Sequence, residues 1–277
     1  MILKHPITGR ETHAEAVEWL PGCAYFRCGR TGLQWLEPQP ISGPVYPDFS
    51  EDADDLLGRA TPELIKTWLT PNEQAALEWV RGNLSPGAEI VELFAETGRF
   101  AWQLRSFGYE VRLADPLAAH VSVLRKHGFT SMQTANPAEL PPDWSEADAV
   151  IILESLVRVA QPAVFMAALR ARLPRAQVFI TAPSLRRPLK LPGVDRRTGY
   201  PPDFLTRWTV EALRELLATS GYVAHGRSIT PGMLRSLRKR RRWRGRVFVV
   251  FQVLLMIASG EYEFSVSGWG RPRNAST

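Results

Sequence analysis

The residues with chemistry in them begin at Val91-Glu92-Leu93-Phe94-Ala95-Glu96-Thr97-Gly98-Arg99-Phe100, a β-rich run that ends in an acidic turn and opens a helix. A turn in that position presents backbone N–H groups to a ligand. Asp115 follows 17 residues after Gly98, at the end of the next β-rich run, where a carboxylate can accept both hydroxyls of a ribose. Each signal is weak alone; their order along the chain gives them weight. The five histidines, His5, His13, His120, His127 and His225, form no cluster, so they read as surface or core residues rather than as bases or ligands.

These residues need elements to hold them. From about Ala88 onward, short β-rich runs alternate with helical stretches, the pattern of a parallel sheet with crossover helices. Strands are expected over 88–95, 109–114, 130–135, 147–153 and 177–182, with helices over 98–107, 117–127 and 162–173 between them. Val210, Leu213, Leu216 and Leu217 have helical spacing, with Thr209 as N-cap and Gly221 as the stop. Tyr222–Ile229 and Glu261–Ser267 read as closing strands. The fold class that follows is α/β, a doubly wound and mostly parallel Rossmann-like sheet. It spans 88–277, behind a helical linker at 46–87 and a small appendage at 1–45.

In this order the strand, acidic turn, helix and Asp115 resemble the cofactor site of class I S-adenosylmethionine-dependent methyltransferases, whose first loop commonly reads acidic-x-Gly-x-Gly-x-Gly. The resemblance covers roughly 88–221 and implies Glu92, Phe94, Ala95, Glu96, Thr97, Gly98, Asp115, Asn136 and Glu154 as residues around S-adenosylmethionine. Glu96 holds the middle-glycine position. Its side chain either points to solvent, grips the cofactor's ammonium, or marks a site that has closed. Asn136 stands where the family often has an acidic residue near the adenine, and an amide there can still bond the exocyclic amine. Leu156–Pro162 is similar to the family's Leu-Glu-His-Val-x-Asp-Pro stretch, with Val157 and Arg158 in place of the Glu and His. A guanidinium stays protonated and is no general base. Tyr200–Thr209 is similar to a Pro-Pro-x-His-Leu-x-x-Phe-Thr segment with Phe204 at the histidine, which leaves Asp203 as a catalytic base, a substrate contact or a loop cap.

The first forty residues resemble a small zinc ribbon that precedes some of these enzymes. Its two Cys-x-x-Cys pairs are replaced by His5, Thr8, Cys28 and Thr31. At most two are competent ligands where a structural zinc takes four, so no metal is expected. Trp19, Tyr25, Phe26, Leu33 and Trp35 offer an apolar substitute that docks on the main domain.

The 277-residue chain carries a net charge of +6, but eight basic residues lie between Arg235 and Arg246, leaving −2 for the remainder. Together with the apolar run that follows, to Ala258, this makes a basic and then apolar insertion at 231–259. It fits either two helices packed on the domain or an element meeting an anionic membrane surface or an acidic partner. Without a recognition motif, nucleic acid is a poor fit. Arg186, Arg187, Lys190, Arg196 and Arg197 in the loop 183–202 suggest a small anionic, sugar-like acceptor. Two cysteines, no secretory pattern and no apolar run of about 20 residues imply a cytoplasmic setting. The rival reading is a binding or scaffold protein that kept the fold and lost the chemistry.

Overall fold

The computed structural model describes residues 1–38, 46, 50–59, 69–185, 204–229 and 265–273. The loop cations from Arg186 to Arg197, Asp203 and the insertion 231–259 lie outside the described residues.

The N-terminal part forms β1 (Ile2–Lys4), β2 (Glu11–Leu20), β3 (Cys23–Cys28) and β4 (Gln34–Glu37), an antiparallel meander. Two similar tight turns join it. In one, Gly9 N–H donates to the His5 carbonyl at 2.8 Å, and in the other Gly32 N–H donates to the Cys28 carbonyl at 2.9 Å. Both glycines are left-handed, at φ 66° and 72°, which L-residues avoid. Local hydrogen bonds take up His5 Nδ1 and Thr31 Oγ1, while His5 Nε2 is buried without a partner among the described residues. His5 Nδ1 accepts from Ile7 and Thr8 N–H at 3.3 and 3.4 Å, and Thr31 Oγ1 accepts from Leu33 N–H at 3.3 Å. Among the described residues, no group of three or more His, Cys, Asp or Glu could hold a metal.

Helices α1 (Ser50–Gly58) and α2 (Pro71–Asn83) come next. A capping box starts α2: Thr70 Oγ1 accepts from Glu73 N–H, and the Glu73 carboxylate accepts from Thr70 N–H at 2.6 Å. The alternating part follows as β5 (Glu89–Leu93), α3 (Arg99–Ser106), β6 (Glu110–Asp115), α4 (Ala118–Lys126), β7 (Thr130–Gln133), β8 (Ala149–Ile152), α5 (Pro162–Arg172) and β9 (Gln177–Pro183). The chain closes with β10 (Thr206–Arg207), α6 (Val210–Thr219), β11 (Tyr222–Ile229) and β12 (Ser265–Pro272). The large sheet has the order β11-β12-β9-β8-β5-β6-β7, parallel from β9 to β7 and antiparallel on both sides of β12. Helices on both faces bury its central strands: Val91, Val150 and Val178 face one cluster, Ile90, Ile151 and Phe179 the other. Trp79 of α2 packs on Phe179 with ring centroids 5.3 Å apart, so the stretch before β5 belongs to the same core.

The last strand is Ser265–Pro272, later along the chain than the alternation suggests. Gly268 and Gly270 lie within this strand, where neighbours approach closely and Gly270 leaves no room for a side chain. A Cβ on Gly270 would lie 2.8 Å from both Tyr222 Cβ and the Val223 carbonyl oxygen.

The short β10 joins the two sheets. It pairs antiparallel with β4, Thr206 opposite Trp35, while Leu205 N–H reaches the Val157 carbonyl at 2.8 Å in the main domain. Tyr25 hydroxyl donates to the Phe204 carbonyl, and Arg207 lies 3.8 Å above the Tyr25 ring while bonding Glu18 at 2.6 Å. Burial pushes the Tyr25 phenol up to about 12, against the pull of Arg207. The appendage therefore docks through one shared strand and a common apolar cluster that includes Phe26, Leu33, Trp35 and Trp208.

Candidate functional site

Parallel strands leave their carboxyl ends open where neighbouring crossover helices diverge, which is where ligands of open α/β sheets bind. At that edge, β5 and β6 deliver Glu92 and Asp115, and the turn from Phe94 to Gly98 leads into α3. Three residues without a glycine's freedom are left-handed here: Phe94 (φ 61°), Glu96 (φ 46°) and Glu154 (φ 54°). Such a conformation strains an L-residue by about 1–3 kcal/mol, and strain of this kind concentrates at functional sites. The turn thus holds left-handed backbone at two positions that carry side chains, Phe94 and Glu96, as well as at Gly98.

Gly98 differs. It is also left-handed (φ 67°) and stands at the N-cap of α3, but a Cβ there would lie 2.4 Å from Leu124 Cδ2 on α4. Phe94 and Glu96 tolerate side chains because theirs have somewhere to go. The Phe94 ring stacks with Tyr46 and with Phe165, each at 6.0 Å, and Glu96 turns toward Arg158, Oε1 to Nη1 3.7 Å, with its side chain half-exposed. That separation is an ion pair without a hydrogen bond. The structure shows the Glu96 carboxylate facing a guanidinium, an arrangement that none of the three alternatives described.

Asp115 holds the turn in place. It is 1% exposed. Oδ2 accepts from Glu96 N–H at 2.9 Å, and Oδ1 accepts from Leu117 N–H and faces His120 Nδ1, both at 2.9 Å. A carboxylate only accepts, so Nδ1 carries the proton. His120 is equally buried, and the pair locks β6 to the first turn of α4.

Glu92 lies beneath the turn, 4% exposed, with Oε2 lacking a hydrogen-bond partner among the described residues. Arg99, the nearest cation on α3, forks instead onto Glu73 at 2.8 and 2.9 Å. Burial, and then the charges of Glu73, Glu96 and Asp115, hold the Glu92 carboxyl well above the usual carboxylate range. Glu96 is raised as well, by burial against the opposing pull of Arg158, with Asp115 and Glu154 adding to the rise. Acidic groups predominate at this edge, which favours a ligand carrying positive charge.

No protein-family model and no curated protein matches the chain. Solved structures do. One is a chain of the complex between the Haloferax volcanii Trm112 methyltransferase activator and a methyltransferase: TM-score 0.54, 16% identity, covering 82% of this chain and 99% of that one. Another is a SAM-dependent methyltransferase from Archaeoglobus fulgidus: TM-score 0.53, 13% identity, covering 77% and 95%. The chain has the class I methyltransferase fold. A third match is phosphoethanolamine N-methyltransferase 2 from Haemonchus contortus, in complex with phosphomonomethylethanolamine and S-adenosylhomocysteine, with TM-score 0.50 and 18% identity over 72% of this chain. Here the match spans about half, 52%, of the other protein's length.

Within that fold, the sheet edge brings Glu92, Phe94, Ala95, Glu96, Thr97, Gly98 and Asp115 together. Two other sequence-derived residues are otherwise engaged. Exposed Asn136 caps its own turn, its Oδ1 accepting from Ala138 N–H at 3.1 Å and its Nδ2 donating to Glu139 at 3.3 Å. Glu154 sits beyond β8 with its N–H on Thr181 and its Oε1 accepting from Ser265 Oγ at 2.9 Å, so its carboxylate is turned toward β12. Tyr46, His120 and Phe165 carry no motif and are site residues only through contact. The one sequence signal for His120 is its position five residues after Asp115, in the first turn of the helix that follows the strand.

Proposed function

We propose that the chain binds S-adenosylmethionine at the carboxyl ends of β5 and β6 and transfers its methyl group to a small acceptor. The observation that carries this reading is the turn at Phe94–Gly98, which maintains left-handed backbone at Phe94 and Glu96 although ordinary folding would relax it. The charges are also complementary. The cofactor has an amino-acid end with one ammonium and one carboxylate, and Glu96 and Arg158 stand opposed at 3.7 Å with Arg158 Nε buried and unpartnered among the described residues. Glu96 then takes the ammonium and Arg158 the carboxylate, while Asp115 accepts from the ribose. When bound, the cofactor supplies an electrophilic methyl group on a sulfonium, whose positive charge suits the acidic edge. The protein's contribution is to position and desolvate, since in-line displacement gains chiefly from orientation.

Arg186, Arg187, Lys190, Arg196 and Arg197 support an anionic, sugar-like acceptor through their charge. The cluster Arg235–Arg246 supports contact with an anionic membrane surface or an acidic partner in a cytoplasmic setting.

Calorimetric titration with S-adenosylmethionine and S-adenosylhomocysteine tests the reading. Micromolar binding is expected, and Glu96→Gln is expected to weaken it by removing the carboxylate proposed to face the ammonium. No heat from either ligand in folded protein overturns it. A second reading, a binding protein without turnover, is favoured by Arg158 occupying a position where the family has an ionisable base. Tight binding with no methyl loss across anionic acceptors selects it.

A further inference from the structure

The geometry points to a one-hydroxyl ribose grip: Asp115 accepts only one of the two ribose hydroxyls, because His120 and the backbone fill the remainder of its carboxylate. This rests on the proposed binding of an adenosyl ligand and concerns how that ligand is selected. An ionised carboxylate offers about four lone-pair positions, two on each oxygen. Both on Oδ1 are taken, by Leu117 N–H and His120 Nδ1–H at 2.9 Å each. One on Oδ2 is taken by Glu96 N–H, also at 2.9 Å. Among the described residues a single position is left, on Oδ2.

None of the three donors is free to step aside. Leu117 N–H belongs to the N-cap residue of α4. Glu96 N–H is fixed by the left-handed turn at φ 46°. His120 is 1% exposed, and moving its ring away would strip a buried carboxylate of its partner. His120 is therefore a positioning residue, acting on the ligand through Asp115. It converts a carboxylate able to grip two hydroxyls into one that grips a single hydroxyl, so the site discriminates strongly at one ribose carbon and weakly at its neighbour.

The test is competition binding of S-adenosylhomocysteine and its 2′-deoxy and 3′-deoxy analogues to the full chain and to His120→Leu and His120→Asn, with thermal melting to confirm folding. For the unaltered protein, one analogue is expected to bind about tenfold to a hundredfold more weakly, as for loss of a hydrogen bond to a charged group, and the other within about threefold of the parent. His120→Leu frees a position on Oδ1, so the insensitive analogue becomes sensitive too. His120→Asn, which keeps a donor, restores the one-sided pattern. A merely structural role would weaken all three ligands by one common factor and leave their ratios unchanged. Equal losses for both analogues in the unaltered protein overturn the inference while leaving adenosyl binding intact, and the same ratios in His120→Leu as in the unaltered protein overturn the part assigned to His120. Failure of the parent ligand to bind overturns the cofactor reading and this one with it.

Discussion

Gly98→Ala is the sharpest probe of the site turn. At φ 67° an alanine pays a left-handed penalty of about 1–2 kcal/mol. Its Cβ would meet Leu124 Cδ2 at 2.4 Å, and Leu124 is fully buried and cannot swing into solvent. Overpacking of this kind adds about 1–3 kcal/mol. The reduced freedom of the unfolded chain returns about 0.4–1 kcal/mol, for a net loss of about 2–4 kcal/mol. That is a large share of a typical domain stability of about 5–15 kcal/mol. Urea denaturation followed by tryptophan fluorescence reads it as a fall of about 1 M in midpoint, taking a slope of about 2–3 kcal/mol per M. The double variant Gly98→Ala/Leu124→Ala separates the two causes: removing the leucine's end relieves the clash but not the backbone strain. The double-mutant cycle should give a coupling of about 1–3 kcal/mol. A single variant within about 0.5 kcal/mol of the unaltered protein, or a coupling near zero, would refute the claim that Gly98 is kept for packing against α4.

Glu96→Gly should leave stability within about 1 kcal/mol, since relief of left-handed strain offsets both the freer unfolded chain and a half-exposed ion pair; a loss above about 2 kcal/mol in the same urea assay would contradict this. Glu92→Gln tests the buried carboxyl whose charged form burial disfavours. Its folded value lies above the unfolded 4.5, so the stabilising effect is complete below 4.5 and is lost as pH rises toward the folded value. The variant should therefore gain stability relative to the unaltered protein as pH rises above 4.5, measured by melting temperature, and parallel curves would show that the Glu92 carboxyl is not raised. Thr209→Ala removes both the Oγ1 acceptor for Ala212 N–H and the hydroxyl that donates to the Thr31 carbonyl. A loss of about 1–3 kcal/mol is expected, with faster proteolysis of the N-terminal sheet as the independent check.

What the sequence by itself determined is local in origin. The β-rich runs feeding helices announced β5 to β9 because strand and helix periodicities depend on neighbours within a few residues. Thr209 capping α6 was legible for the same reason, a side chain bonding three residues ahead. The acidic turn and Asp115 could be paired because strand, turn, helix and strand follow in order. Tertiary structure decided everything that depends on distant approach. No local pattern announces that two residues, Thr206 and Arg207, join the N-terminal sheet, or that Gly268 and Gly270 lie in a strand packed closely against Leu217 and Tyr222. Equally, Glu96 meets Arg158 across 62 positions, and its left-handed backbone runs against residue preference. It persists because Asp115, itself held by His120, takes its N–H. A buried carboxylate left without that donor would be costlier than the strained turn that provides it.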